Sequence, residues 1–148
     1  MRAVVQRVAW AKVEVEGETV GAIDRGLLVY LGAGKGDRDE DRTYVLSKIL
    51  NLRIFEDEQG KMNLALADVG GALLVVSQFT LYGDVRRGRR PSFEGAMPPE
   101  EAEQAYDRFV QDARNAGTSV ATGRFRAHMK VSSLNDGPVT IWIDSEKT

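Results

Sequence analysis

The sequence predicts an α+β fold: a strand-rich mixed or antiparallel sheet curled into a barrel-like core, with two main helices packed outside. Three observations predict it. Lys12, Glu14 and Glu16 alternate with Val13 and Val15, the two-residue period of a half-buried strand. Leu27–Leu31 and Ala72–Val76 are unbroken apolar runs, as in strands covered on both faces. Two longer segments repeat apolar residues at helical spacing.

Taken in order, residues 2–10 and 12–16 read as strands, and Gly17 turns the chain so that Thr19–Ile23 returns beside them. Leu27–Leu31 reads as a central strand. Asp37 is the expected cap of the first helix, with Glu40 completing a capping box. Val45, Leu46, Ile49 and Leu50 form its apolar stripe. Leu52–Phe55 reads as a strand, residues 56–61 as a polar turn, and Ala72–Val76 as a buried strand. The second helix follows Pro98-Pro99-Glu100-Glu101, since proline and acids suit a first turn. Ala102, Ala105, Tyr106, Phe109, Val110 and Ala113 are its buried face, and Gly117 its stop. Residues 118–124, 129–134 and 139–144 read as three closing strands. No repeat or linker divides the chain, so residues 1–148 are expected to form one domain.

At 148 residues, roughly 68–70% of the unfolded surface is expected to be buried. The chain has no cysteine, which excludes disulfides, thiolate metal sites and a cysteine nucleophile. Its net charge of −2 supplies no general attraction for a polyanion, so nucleic-acid binding needs a local patch. Gln6 and Arg7 interrupt the first apolar segment, and no run approaches the ~20 residues of a membrane span. A soluble cytoplasmic protein is expected, without cofactor or metal.

Two motifs carry chemistry. The first is Ser77-Gln78-Phe79-Thr80-Leu81-Tyr82-Gly83-Asp84, polar groups at the exit of an apolar strand. In an extended chain Ser77, Phe79 and Leu81 share one face and Gln78, Thr80 and Tyr82 the other, until Gly83-Asp84 ends the strand. The plain alternative is a strand exit whose Ser and Gln meet loop and water. The second motif is Asn135-Asp136-Gly137-Pro138, which composition alone reads as a hairpin turn between strands 129–134 and 139–144. Only about 5–6% of X-Pro bonds are cis, so composition does not announce one here.

Arg86, Arg87, Arg89 and Arg90 form a basic loop around Gly88. Such a loop serves equally as a solvated surface or as a contact to phosphates. His128 is the one histidine, and nothing near it has triad or metal spacing. The structural role is the stronger reading for it.

With these motifs the chain resembles the D-aminoacyl-tRNA deacylases, nearly end to end, from Met1-Arg2-Ala3-Val4-Val5-Gln6-Arg7-Val8 to Ile141-Trp142-Ile143-Asp144-Ser145. The resemblance implies hydrolysis of the ester of D-aminoacyl-tRNA, and of mischarged glycyl-tRNA. It implies that Ser77, Gln78, Phe79 and Thr80 line the pocket of the 3′-terminal adenosine, with backbone N–H groups near Phe79 and Thr80 facing the ester carbonyl. Thr80 has been regarded as a nucleophile in such enzymes, but no base is evident beside it. Phe125 and Met129 are implied to line the adenosine pocket, and Arg126 stands where a glycine is expected.

The resemblance further implies a cis Gly137-Pro138 bond that enters the site of the other subunit of a homodimer, braced by Arg7. Its carbonyls would hold the substrate α-ammonium, and an L side chain would collide with the backbone. With no catalytic base evident, the tRNA 2′-OH is expected to help activate or position water. The alternatives are a non-catalytic nucleic-acid-binding dimer of the same fold, and a hydrolase of another small ester or amide.

Overall fold

The computed structural model describes residues 1–146. The elements run β1 (Arg2–Val15), β2 (Glu18–Ile23), β3 (Gly26–Gly32), α1 (Asp39–Asn51), β4 (Phe55–Glu56), β5 (Met62–Leu64), β6 (Ala72–Ser77), α2 (Pro99–Asn115), β7 (Ser119–Thr122) and β8 (Lys130–Asp144). The long strand β1 organises the sheet. One edge pairs antiparallel with β3 over Arg2–Val8 and then with β2 over Ala11–Val15. The other edge takes β8 along its length. Strands β3, β6 and β7 are mutually parallel neighbours.

The sheet curls until β2 meets β7. A Cβ on Gly21 would lie 2.1 Å from the Thr122 carbonyl oxygen, so only glycine allows this approach. The mixed sheet is thereby nearly closed into a barrel. The two apolar runs are buried on both faces, as their composition requires. Leu27, Val29, Leu73 and Val75 pack outward with Val45 and Ile49 of α1 and Phe109 and Ala113 of α2. Leu28, Leu74 and Val76 pack with Val8, Ala11, Val13 and Ile23 within the curl. No helix among the described residues is long and apolar enough to cross a membrane.

Four local expectations change. Residues 2–10 and 12–16 are one strand, because β8 pairs with β1 on both sides of Ala9. The strand expected at Leu52–Phe55 shrinks to Phe55–Glu56, paired with β5. Helix α1 starts later than Asp37. Arg38 occupies the cap position and its N–H donates to the Asp41 carboxylate at 2.8 Å. Asp37 is diverted, accepting from the Gly34 N–H at 2.7 Å and the Met1 ammonium at 2.9 Å. Finally, residues 129–134 and 139–144 are not joined as a hairpin. Both pair with β1, as parts of the single strand β8.

Candidate active site

Strand β6 stops at Ser77, and residues Phe79–Tyr82 wind into a 3-10 turn. The alternation of faces expected through Tyr82 therefore ends with the strand. The Gln78 N–H still donates to the Leu31 carbonyl at 2.8 Å, extending the β3 pairing by one bond. Leu81 N–H then donates to Gln78 O at 3.2 Å, and Gly83 N–H to Thr80 O at 2.9 Å. The N–H groups of Phe79 and Thr80 have no acceptor among the described residues. These are the free donors that the first turn of any helix leaves.

Arg2 fixes the far end of this turn. Its Nη1 donates to the Leu81 carbonyl at 2.9 Å, and its guanidinium lies 4.3 Å from the centre of the Tyr82 ring. Its Nε donates to Asp144 at 3.1 Å. Burial, with Asp37 adding to it, pushes the Tyr82 hydroxyl pKa well above its ordinary value, so the phenol stays neutral.

A cleft of about 740 Å³ opens beside the turn. Ser77, Gln78 and Phe79 form one wall, and Phe125 and Met129 another. Five of the residues singled out in the sequence thus meet around one space. Phe79 is 54% exposed and packs edge-on against Phe93, with ring centres 5.0 Å apart. Thr80, expected with them, is exposed and does not line the cleft; its hydroxyl accepts a hydrogen bond from the Gln78 side-chain amide. An amide is no base, so this contact orients the hydroxyl without activating it. The cleft floor includes Tyr106, whose hydroxyl donates to the Val75 carbonyl at 2.7 Å. His128 is exposed on the wall, as is Arg126 with φ +64°.

The Asn135–Pro138 motif forms an excursion from the middle of β8. Gln6 pairs with Thr140 and Val8 with Asn135, so residues 136–139 stand opposite Arg7 alone. Arg7 is buried, 6% exposed. Its Nε donates to the Asp136 carbonyl at 3.0 Å and its Nη1 to the Ile54 carbonyl at 2.8 Å. It is thus a brace under the excursion, not a charge on a strand surface. The Asn135 side chain accepts from the Val139 N–H at 3.2 Å and closes the loop from the other side. The Gly137-Pro138 bond is cis, and both residues are exposed. They are not part of this chain's own cleft wall. Exposed apolar side chains flank them along the strands: the cross-strand pair Trp10 and Leu134 on one side and Trp142 on the other.

The four loop arginines differ among themselves. Asp84 and Ser92 exchange backbone hydrogen bonds of 2.7 and 2.9 Å, which pinch the loop at its base. Arg86 folds back onto Asp84, with Nε–Oδ1 2.9 Å and Nη2–Oδ2 2.6 Å. The hydrogen bonds from Arg86 pull the Asp84 carboxyl down to about 2. Arg87, Arg89 and Arg90 are exposed and have no ion-pair partner among the described residues.

Sequence reasoning passed over Arg2 and Tyr106. Arg2 reads as a polar residue opening a strand, and Tyr106 as one more member of an apolar helical stripe. Their roles depend on Leu81 and Val75, 79 and 31 residues away. The one local signal is that a buried Tyr needs a partner for its hydroxyl.

Residues 4–144 match the protein family described as D-Tyr-tRNA(Tyr) deacylase. The D-aminoacyl-tRNA deacylases of Thermosipho africanus and Thermotoga petrophila are 60% and 61% identical over 147 residues, covering 99% of this chain and 99% of each relative. That of Sorangium cellulosum is 62% identical over 149 residues, covering 100% of this chain and 99% of the relative. A solved structure described as c-Myc DNA Unwinding Element Binding Protein has a TM-score of 0.93 at 44% identity, covering 97% of this chain and 98% of that one. Another, described as a probable eukaryotic D-amino acid tRNA deacylase, has a TM-score of 0.80 at 21% identity over the same shares, a likeness of fold.

Proposed function

The chain belongs to the D-Tyr-tRNA(Tyr) deacylase family, ester hydrolases of D-aminoacyl-tRNA, and from that premise we propose how its own residues serve the reaction. The terminal adenosine enters the cleft between Ser77-Gln78-Phe79 and Phe125-Met129. The ester carbonyl then meets the free N–H groups of Phe79 and Thr80. The observation carrying this reading is that these two donors lack acceptors, on a turn whose Phe79 lines the cleft. As water attacks, charge grows on the carbonyl oxygen, and each aligned donor is worth about 3–4 kcal/mol in the transition state.

Thr80 positions the substrate and does not attack it. Its hydroxyl is held by the Gln78 amide, and no base bonds to it among the described residues. The ribose 2′-OH of the substrate, vicinal to the ester, helps to position the attacking water. Aminoacyl esters are reactive, so positioning and charge stabilisation suffice.

Handedness is read by the Gly137-Pro138 excursion of a second subunit. Backbone groups there take the α-ammonium, a D side chain points to open space, and an L side chain collides with the main chain. The filter touches no side chain, so many D-amino acids pass, and glycyl-tRNA passes as well. Supporting the dimer are the exposure of the excursion, its separation from this chain's cleft, and the apolar Trp10, Leu134 and Trp142 beside it. A two-fold assembly then has two equivalent sites.

The test is release of free amino acid from matched D- and L-tyrosyl-tRNA. Loss of the D-ester alone supports the reading. Equal loss of both, or of neither, removes it. A 2′-deoxy terminal adenosine cleaved at the normal rate removes the role of the 2′-OH. A second reading, nucleic-acid binding without catalysis, draws on the name of the 44% identical structure. It predicts tRNA binding with no release from either ester.

A further inference from the structure

The cleft holds charges for which the proposed reaction has no use. Its wall carries Lys35 and Arg126 against a single carboxylate, Glu94. The whole chain has a net charge of −2, so the balance in the cleft runs opposite to that of the molecule. Neither Lys35 nor Arg126 has an ion-pair partner among the described residues. Lys35 follows β3 and is tied to the 93–98 segment, its N–H donating to Gly95 O at 2.9 Å. Arg126 sits on the other wall, between Phe125 and Met129.

Arg126 is also one of two non-glycine residues with positive φ among the described residues, at +64°. The other, Glu16, lies in the β1–β2 turn beside Gly17. A side chain in the left-handed region is disfavoured where glycine is at ease. A strained backbone carrying an unpaired guanidinium, in the wall of a binding cleft, is where function is to be sought.

We propose that Arg126 and Lys35 form a phosphate subsite at the cleft, taking the phosphodiester on the 5′ side of the terminal adenosine. The proposal rests on the reading that the adenosine occupies the cleft. A planar guanidinium suits two phosphate oxygens at once, and an ammonium adds a point charge. Such a contact carries no base information. It sets how deep the nucleoside sits, and so where its 3′ end lies relative to Phe79 and Thr80.

The experiment compares binding of adenosine, AMP and the dinucleotide CpA by calorimetry, at low and high salt. AMP and CpA are expected to bind at least fivefold more tightly than adenosine at low salt, with the gap narrowing as salt rises. In Arg126→Gly the gap closes to twofold or less, and in Lys35→Ala it shrinks. The gap is read as the ratio of adenosine to AMP affinity within each variant. Arg126→Gly relieves the backbone, so its Tm is expected to hold or rise, which separates lost phosphate binding from misfolding. Equal affinity for adenosine and AMP in the wild-type protein, or a gap unchanged in Arg126→Gly, overturns the subsite and leaves the adenosine reading intact. Failure of adenosine, AMP and CpA alike to bind overturns both.

Discussion

The buried guanidinium of Arg7 donates to the Asp136 carbonyl at 3.0 Å, from the one β1 position that faces the whole excursion 136–139. A second donor reaches Ile54 O at 2.8 Å. The carboxylates of Glu56 and Asp136 stand farther off, at 3.9 and 3.8 Å, and are exposed. The residue therefore acts chiefly through carbonyls. Arg7→Met leaves both without a donor; the buried Ile54 carbonyl costs about 1–3 kcal/mol when unpaired, while exposed Asp136 can turn to water. Urea unfolding is expected to show a loss of about 1–3 kcal/mol. Arg7→Lys recovers only part of it, since one ammonium on a single stem does not reproduce the fork.

Gly137 has φ +134°, outside the range of L side chains. A Cβ there would lie 2.8 Å from Val139 Cγ2 and 3.1 Å from the Arg7 guanidinium. Gly137→Ala is expected to displace the excursion while sparing the sheet. Deacylation of D-tyrosyl-tRNA should fall at least tenfold, while the far-ultraviolet circular dichroism stays that of the wild type.

Arg2 holds the 3-10 turn by the Leu81 carbonyl without lining the cleft. Arg2→Met keeps the stem beside Tyr82 and removes the donors to the Leu81 carbonyl and to the buried Asp144 carboxylate, so some stability is lost as well. On the reading of Phe79 and Thr80 as oxyanion donors, kcat is expected to drop by about tenfold, equivalent to ~1.4 kcal/mol, with KM nearly unchanged. Faster hydrogen exchange at the Leu81 and Gly83 amides would report the loosened turn independently of activity.

The loop arginines are expected to act on tRNA through charge alone. Arg87, Arg89 and Arg90 have no ion-pair partner among the described residues, whereas Arg86 is held by Asp84. Changing those three residues to Gln should weaken tRNA binding at low salt and flatten its salt dependence, by up to about one unit of slope per lost contact. Arg86→Gln alone should do less. Unaltered affinity of the triple variant at low salt would assign the loop to solvent.

Asp84 supplies the pH prediction. Its carboxyl is held at about 2 in the folded chain, below the ordinary aspartate value of about 3.9. A lowered folded pKa means that the contribution of the pair is complete above the unfolded value. It fades as pH falls through the interval between the two. Both side chains of the pair are open to solvent, so the change is local to the loop. Carboxyl carbon shifts should place the inflection near 2 in the native chain and return it toward the ordinary value in Arg86→Ala.

Much of this was legible because it is locally encoded. The run Leu27–Leu31 announces a strand buried on both faces, and the stripe from Ala102 to Ala113 announces the covered side of α2. Pairing partners are not local. Asn135-Asp136-Gly137-Pro138 has the same composition whether the chain folds back on itself or steps out of a strand and resumes it. Only the pairing of Thr140 with Gln6 and Asn135 with Val8 distinguishes the two. Asp37 fails for a related reason. It has the chemistry of a helix cap, but the Met1 ammonium and the Gly34 amide compete for the same carboxylate. The face alternation at Ser77–Tyr82 fails because nothing in the composition says where pairing with β3 runs out.

The excursion at 136–139 has pairing to β1 on both sides of it. Ordinary turns absorb added residues at their tips. Here one extra residue must either lengthen the protrusion itself or slide the segment after it by one step along β1. Sliding would exchange the faces of Ile141, Trp142 and Ile143, turning Ile143 out of the core and Trp142 into it. The length of this short stretch is therefore under two masters, the interior on one side and whatever meets the tip on the other. A substitution there leaves both constraints in place, whereas a change of length disturbs at least one.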